Sequence, residues 1–443
     1  MKHISEKSPK KLSDNYPMVM FGEDWGAHPS SSQHLARELS KFHDITWVNS
    51  IGLRAPRFNL SDLGRAFNKL KAVLNFSAEK ERAQQPTETT WQPEVVNPLA
   101  IPFHGQGWAR WMNQKLITKK LFDVFKNSNS QDLAKEKPIL WISLPSAEPL
   151  IGKMNECFSI YYCGDDFSSL EGVDHDVMEK LELELIKKVD LILVASEELT
   201  KKFPKDKTLF IPHGVADYFF DLPGDRPADL PVGSPIAGFY GSLSGWVDQE
   251  LIANAARAMP HWNFVIIGPQ RCSVEHLKNE SNIYFLGAKA HHELPNYVHH
   301  WQVSLLPFKD NAQIRACNPL KLREYLAIGK PIVSTTFPAL MPYVDWVSVA
   351  DHDGFCAAIE AAGAEVPSVQ QLIINSSKDD FFALIEQWSD VEKLGDAKHE
   401  RIRQVDNHSW QARALKIERE ILCRVQLEKV NVNKSYENSL IAQ

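Results

Sequence analysis

The chain has 443 residues, more than one hydrophobic core usually serves, so two domains are the first expectation. Hydrophobic residues make up 44% and charged residues 24%, a balance typical of globular proteins that excludes a largely disordered chain. The formal net charge of −7 gives no reason to expect nucleic acid as a partner. No run approaches the ~18 apolar residues that would cross a bilayer.

The start of the chain is polar and rich in lysine, with no apolar segment behind it. This pattern predicts a disordered leader over residues 1–16 and no signal peptide, so we expect a cytoplasmic protein. The 6 cysteines are scattered without a C-x-x-C pair, which argues against a zinc site and a disulfide framework. They are interpreted as small core residues.

Short apolar runs bounded by turn residues alternate with helical stretches, the pattern of parallel βαβ units. It predicts an N-terminal Rossmann-like domain over 17–221, with helices at Pro29–Lys41 and Asp174–Lys188. The strands predicted in this domain are Met18–Phe21, Ile45–Asn49, Ile139–Ser143, Ser159–Cys163 and Leu191–Ala195.

A segment rich in proline and glycine, residues 222–234, is the predicted linker, and the alternation then restarts over 235–408. The amphipathic stretch Trp410–Val425 predicts a helix over 409–426 that returns to the first domain, followed by a flexible tail over 427–443. The strands predicted in the second domain are Ile236–Tyr240, Phe264–Gly268, Ile283–Leu286, Val303–Leu306 and Ile332–Ser334. Two such α/β domains facing each other would create a cleft for two substrates, because ligands bind at the carboxyl ends of parallel strands.

The segment Cys317–Thr335 predicts a helix that starts near Pro319 and stops at Gly329 before a buried strand. Lys321 and Glu324 are three residues apart and share one face of that helix. A carboxylate can accept hydrogen bonds from ribose hydroxyls, and an ammonium near a helix N-terminus can meet a diphosphate. An ordinary ion pair on the helix surface explains the same spacing.

Two further features have residue types that could bind a phosphate or transfer a proton. The loop GFYGSLSGW follows a predicted strand, and its Gly241 and Ser242 would let backbone amides approach a phosphate, although glycines there are as often plain turns. Asp165 and Asp166 follow another strand, where a carboxylate could take a proton from an acceptor hydroxyl or could simply cap a turn. His28 is a second candidate for contacting a substrate.

The order and spacing of several motifs resemble family 4-type glycosyltransferases, especially those of teichuronic acid and exopolysaccharide synthesis. The motifs are FGEDWGAHPSSSQHLARELS, YYCGDDFSSLEG, KKVDLILVASEEL, IPHGVADYFF, GFYGSLSGWVD, FVIIGP, YFLGAKAHHELPNYV and CNPLKLREYLAIGKPIVST. The resemblance implies the GT-B fold, a hexosyltransferase, a nucleotide-sugar donor and neither cofactor nor metal. It implies that Glu324 holds the donor ribose, with Pro319 and Leu320 beside it at the helix start.

Two departures from the family pattern concern the donor site. The family often has a glutamate eight residues before the ribose-binding one, where this chain has Ala316. It also often has an arginine and a lysine after the glycine loop, and residues 238–256 contain neither. Lys309, Arg315 and Lys321 are then the basic candidates for the diphosphate, and the anomeric outcome stays open.

Two D-x-D strings, Asp174–Asp176 and Asp351–Asp353, could indicate a metal-bound donor. Each begins a predicted helix, where aspartates cap free amides, so we expect no metal.

Residues 54–126 contain twelve Lys or Arg against six Asp or Glu, a local charge of +6. Within them, basic residues alternate with Trp108, Trp111, Phe122 and other apolar residues. This mixture suits peripheral attachment to an anionic membrane at the inner face of the plasma membrane, and also suits a core helix with a solvated basic face.

The sequence therefore predicts a glycosyltransferase that moves a sugar from a nucleotide-sugar to a glycan or lipid-linked acceptor in bacterial surface polysaccharide synthesis. Two alternatives stay open: a nucleotide-sugar epimerase of the same fold, and an inactive glycosyltransferase-like binding subunit.

Overall fold

The computed structural model describes residues 16–27, 30–51, 91–101, 103–127, 137–170, 173–364 and 397–441, with side chains as far as Val425. The chain divides into two compact units. Unit 1 holds the described residues up to Ala195, the segment Leu199–Ile211 and the chain from Ala414 onward. Unit 2 holds Ser196–Glu198 and Pro212–Arg413. Residues 1–15 of the predicted leader and the whole of the segment 54–90 lie outside the described residues.

Unit 1 is built on a seven-stranded sheet in which every strand pair is parallel. The strand order is β3-β2-β1-β4-β5-β6-β7, and crossover connections join the parallel strands. Its strands are β1 (Met18–Phe21), β2 (Ile45–Val48), β3 (Glu94–Val96), β4 (Ile139–Ile142), β5 (Phe158–Cys163), β6 (Leu191–Val194) and β7 (Thr208–Phe210). Its helices are α1 (Ser31–Leu39), α2 (Gly107–Asn127), α3 (His175–Lys188) and α4 (Glu197–Thr200), the last shared with unit 2.

The central strands of this sheet are continuous apolar runs because both faces are covered. All residues of β1, β4, β5 and β6 are buried, as expected for a parallel sheet packed between helix layers. These strands confirm the sequence prediction to within one residue at either end. The edge strands β3 and β7 were missed, since each has three residues with mixed exposure and no strong apolar run.

Unit 2 is built on a six-stranded parallel sheet in the order β10-β9-β8-β11-β12-β13. Its strands are β8 (Ile236–Tyr240), β9 (Asn263–Ile267), β10 (Ile283–Gly287), β11 (Val303–Leu306), β12 (Ile332–Ser334) and β13 (Ser348–Val349). Its helices are α5 (Gln249–Ala258), α6 (Glu275–Lys278), α7 (Leu294–His299), α8 (Ala312–Ala316), α9 (Leu320–Ile328) and α10 (Phe355–Gly363). A helical segment, 397–403, precedes the last helix, α11 (Trp410–Ile441).

A glycine in the middle of β8 makes the core of unit 2 possible. A Cβ atom on Gly238 would lie 1.9 Å from the ring of Trp301, which is fully buried. The absent side chain therefore leaves room for the indole to pack directly on the strand.

Helix α11 begins in unit 2 and continues into unit 1. At its start, Trp410 packs on Gly214, where a Cβ atom would lie 2.6 Å from the indole. Further along, buried Glu418 contacts Nε2 of His43 at 2.7 Å, and Nδ1 of that histidine lies 2.9 Å from the carbonyl of Tyr16. These contacts fasten the helix to the start of the unit 1 sheet.

Residues 222–234, which the sequence marks as a linker, lie within unit 2 and contact its surface. Asp229 accepts hydrogen bonds from Lys289 at 2.6 Å and from Tyr297 at 2.9 Å. The interpretation of the cysteines as core residues is wrong for most of them: only Cys163 of the six is buried, and none of them forms a disulfide.

Candidate active site

Two glycine turns meet at the carboxyl edge of the unit 2 sheet. Gly241 follows β8 and Gly268 follows β9, with φ angles of +133° and +141° that side chains rarely adopt. A Cβ atom on Gly268 would lie 2.1 Å from the carbonyl oxygen of Gly241, so the two loops touch backbone to backbone. Ser242, the next predicted donor residue, is partly exposed in this loop.

Helix α9 brings the predicted donor residues to this loop. Pro319 caps its start, Leu320 is its first residue, and Gly329 ends it with a left-handed φ of +77°. A Cβ atom on Gly241 would lie 2.9 Å from Nζ of Lys321. The ammonium group therefore rests against the glycine turn, and this contact joins two residues that the sequence had selected independently.

The ammonium of Lys321 lies between two aromatic rings, with Nζ 5.6 Å from the centroid of Phe239 and 5.7 Å from that of Phe308. Burial lowers the pKa of Lys321, while Cys317 and the Glu324 carboxylate act in the opposite direction. Within the described part of the chain this ammonium forms no ion pair. It is thus a sequestered cation available to an anion.

Glu324 lies one turn further along α9, with its side chain only 4% exposed. One carboxylate oxygen accepts a hydrogen bond from the Tyr240 hydroxyl at 2.5 Å, and the other lies 2.9 Å from Nε2 of His291. Burial and the charge of Glu324 raise the pKa of Tyr240, which keeps its hydroxyl a donor. A carboxylate has about four acceptor positions, so such a group can accept hydrogen bonds from more than two donors.

The sequence reasoning missed the partners of Glu324. The hydroxyl of Tyr218 lies 2.5 Å from Nδ1 of His291, which continues the buried chain of polar groups. The available signal was the pair of adjacent histidines, His291 and His292, directly after a predicted strand, but nothing in it pointed to a residue 33 positions later.

The other basic candidates lie elsewhere in unit 2. Arg315 is 62% exposed and forms two hydrogen bonds to Asp310, at 2.6 and 2.8 Å. Lys309 is exposed and donates its backbone N–H to Trp246 at 2.9 Å. The carbonyl of Ala316 accepts a hydrogen bond from the Ser196 hydroxyl at 2.8 Å.

In unit 1 the two neighbouring aspartates have different environments. Asp166 accepts hydrogen bonds from the Ser168 hydroxyl at 2.7 Å and the Ser169 hydroxyl at 3.1 Å, and Lys202 lies 2.7 Å away. Lys202 also contacts buried Glu182 at 2.6 Å. Although burial acts against the charge, Lys202 and Ser168 hold the pKa of Asp166 below its usual range. These contacts are those of a structural carboxylate.

Asp165, by contrast, is exposed. Desolvation together with the negative charges of Asp166 and Glu23 raises its pKa, which is the change expected of a group that takes up a proton. Glu23 follows β1 and accepts a hydrogen bond from the Gln33 side chain at 3.0 Å. His28, the other candidate, lies outside the described residues.

The D-x-D aspartates act in turns. Asp174 caps α3 by accepting from the backbone N–H of Val177 at 3.4 Å. Asp351 accepts from the N–H of Gly354 at 2.9 Å, ahead of α10, so it precedes that helix by one turn and does not begin it. Over the residues that the structure describes, no three His, Cys, Asp or Glu side chains are grouped as metal ligands would be. No described helix is long and apolar enough to cross a membrane.

Comparisons with known proteins point to glycosyltransferases. Residues 234–365, which include the whole unit 2 sheet and all of α9, match the family model "Glycosyl transferases group 1". TuaH of Bacillus subtilis (strain 168), provisionally described as a teichuronic acid biosynthesis glycosyltransferase, is 28% identical over 287 residues, which cover 55% of this chain and 72% of TuaH.

Solved structures show the same fold. HepE of Anabaena in complex with UDP has a TM-score of 0.57 and 12% identity, covering 92% of this chain and 100% of that one. Sucrose-phosphate synthase of Thermosynechococcus elongatus has a TM-score of 0.60 and 15% identity, covering 94% of this chain and 100% of its own.

The chain is therefore a glycosyltransferase with the GT-B fold, as its motifs predicted. Within unit 2, residues 234–365 are similar to group 1 glycosyl transferases.

We expect Asp166→Asn to lower the free energy of unfolding by about 2 kcal/mol at pH 7, since it weakens charge-assisted hydrogen bonds. Because the folded pKa of Asp166 lies below its unfolded value, this stabilisation is present above the unfolded pKa and is lost as the pH falls through the folded one. Urea titrations should therefore show that the difference in unfolding free energy between the wild type and Asp166→Asn becomes smaller below about pH 5. Asp165→Asn is the matched control and should be as stable as the wild type or more so; equal stability of both variants would show that Asp166 has no structural role.

Proposed function

We propose that this enzyme transfers a sugar from a nucleotide-sugar donor to a hydroxyl of a glycan or lipid-linked acceptor in surface polysaccharide synthesis. The observation that carries the proposal is the pairing on α9 of an ammonium against the glycine turn with a buried carboxylate one turn later. The complexes of HepE with UDP and UDP-glucose support such a donor, and the likeness to TuaH supports the polysaccharide role.

The two ends of the donor would meet different groups. Glu324, held by Tyr240 and His291, accepts hydrogen bonds from the ribose hydroxyls. Lys321 meets the diphosphate, together with the backbone amides of Gly241 and Ser242. The start of α9 adds the positive end of a helix dipole, so the diphosphate charge is neutralised without a metal ion.

Asp165 is the better of the two aspartates for taking the proton of the acceptor hydroxyl. The residue is exposed, so a substrate can reach it, and the raised pKa of its carboxyl group makes it a stronger base than an ordinary aspartate. Asp166 is already occupied by Lys202 and two serine hydroxyls. A role for His28 remains a prediction.

Membrane attachment through α2 would place the enzyme beside lipid-linked acceptors. The helix buries Ala109, Ile117 and Phe125, while Trp108 and Trp111 are 58% and 57% exposed. Its charged residues are five Lys or Arg and one Asp. Exposed indole rings among ammonium groups fit the headgroup layer of an anionic bilayer. The exposed apolar residues of this helix are Trp108, Trp111, Met112, Leu116 and Phe122.

We expect Glu324→Ala to weaken UDP binding at least about 10-fold, since the ribose loses its acceptor and Tyr240 loses its partner. Calorimetry should show that the same variant also binds uridine more weakly. Lys321→Met should lower the affinity for UDP but leave the affinity for uridine unchanged, because the nucleoside has no diphosphate. Glu275→Ala, on an exposed residue of α6, is the control. Unchanged UDP affinity of the Glu324 variant would contradict its assignment, and GDP, dTDP and CMP should be tested in parallel.

Asp165→Asn should reduce turnover by about 10²–10⁴-fold while the donor dissociation constant stays within about threefold, because a lost base affects the transition state and not donor binding. Release of nucleotide in the presence of acceptor lipids measures the first quantity and calorimetry the second. Wild-type turnover of the variant would exclude Asp165 as the base. A converted sugar in NMR spectra of acceptor-free reactions would indicate the epimerase alternative instead.

Trp108→Ser with Trp111→Ser should abolish flotation of the protein with anionic vesicles, because these rings supply the apolar part of the contact. The wild type should float with anionic vesicles and not with neutral ones. Leu183→Ser, which removes a 53% exposed leucine from α3, should float as the wild type does. Flotation that is independent of lipid charge would disprove the electrostatic part of the proposal.

A further inference from the structure

A buried arginine on the donor helix lacks a full set of partners. Arg323 precedes Glu324 on α9 and is 4% exposed. Its Nη1 donates to the Asn318 side chain at 2.5 Å, and its guanidinium carbon lies 5.7 Å from the centroid of the Tyr343 ring. Its Nε is buried without any hydrogen-bond partner. A buried N–H without an acceptor is costly, so its environment needs an explanation.

Two more basic side chains with the same deficiency come from the chain that leads into α11. Nε and Nη2 of Arg413 are buried without a partner, and so is Nδ1 of His408. All three basic residues belong to unit 2. Four buried nitrogen atoms therefore lack hydrogen-bond partners, and they belong to residues whose charges affect one another.

The charges of this cluster repel each other. Burial and then the positive charge of Arg323 lower the pKa of Arg413 to about 10. Burial and then the charges of Arg413 and Arg323 lower the pKa of His408 to about 4. The carboxylate whose charge opposes this effect on His408 is that of exposed Asp406. Among the described residues, no carboxylate forms an ion pair with either arginine.

We propose that Arg323, Arg413 and His408 bind a small phosphate-type oxyanion within unit 2. The guanidinium fork matches two oxygens of such an anion, and the unpartnered N–H groups supply the donors that it requires. The neutral imidazole of His408 can direct an Nδ1–H donor at the same anion. The anion replaces repulsion between buried cations by attraction, which removes the cost of leaving them unpaired.

The position of this oxyanion site links it to the donor helix without overlapping the donor residues. Arg323 lies on α9, Tyr343 on the turn that follows β12, and Arg413 at the start of α11. A bound anion would hold these three elements together. The site would accept free phosphate or the phosphate group of a larger molecule, and its existence does not depend on the proposed transfer reaction.

Melting temperatures test the site when they are measured with and without 10 mM inorganic phosphate. This concentration is on the order of 100 times a dissociation constant of ~0.1 mM, and chloride keeps the ionic strength equal in both conditions. Phosphate should raise the Tm of the wild type by about 4 °C or more. In chloride alone, Arg413→Met should melt at or above the wild-type temperature, since it relieves repulsion. In phosphate, Arg413→Met should melt below the wild-type temperature. Arg403→Met, which removes a 70% exposed arginine paired with Glu400, should shift as the wild type does.

Two further melting experiments separate this site from the donor loop and distinguish the sources of phosphate. The shift should persist in Lys321→Met, because the oxyanion site does not include that ammonium. Glycerol 3-phosphate tests whether a phosphate ester fits, and a larger shift than that of free phosphate identifies the group as part of a bigger ligand. If Arg413→Met gives no cooperative transition, Arg413→Lys, which keeps the charge and loses the fork, should halve the shift. No wild-type shift beyond chloride, or equal shifts in all variants, would overturn the proposal.

Discussion

Helix α9 is fixed to the end of β8 by hydrogen bonds that combine backbone and side-chain atoms. The hydroxyl of Tyr325 lies 3.1 Å from the backbone N of Tyr240, and the Tyr240 hydroxyl in turn donates to Glu324 at 2.5 Å. The next residue along the chain is Gly241, so the same contacts set the distance from the glycine turn to Lys321. Every donor contact proposed for unit 2 depends on this attachment, because it holds a cation and a carboxylate at one loop.

Unit 1 shows how tertiary contacts give two chemically identical neighbours different roles. Asp165 and Asp166 have the same side chain and the same position after β5, but Lys202 reaches only the second. That lysine comes from the chain beyond α4 and also neutralises buried Glu182. The first aspartate keeps an exposed carboxylate whose proton affinity is increased by its neighbours. A charge network that stabilises the fold thereby occupies one aspartate and not its neighbour.

Positive charge in this acidic chain is concentrated on α2 and in a cluster within unit 2. On α2, basic residues lie exposed among indole rings, which suits a surface that meets lipid. In unit 2, Arg323 is buried and Arg413 is half-buried, and both lack acceptors for buried N–H groups. The first arrangement costs little because water solvates it, whereas the second is unfavourable until an anion is present.

The sequence by itself determined the two parallel sheets, since buried strands such as β1, β5 and β8 are continuous apolar runs that local pattern reveals. It also placed Lys321 and Glu324 on one face of a helix, because residues three apart in a helix share a face. Only the tertiary structure identified Tyr240 and His291 as partners of Glu324, 84 and 33 positions away in sequence. The short edge strands and the unpaired arginines likewise depend on distant neighbours, and no local pattern records which long-range contacts a chain will form.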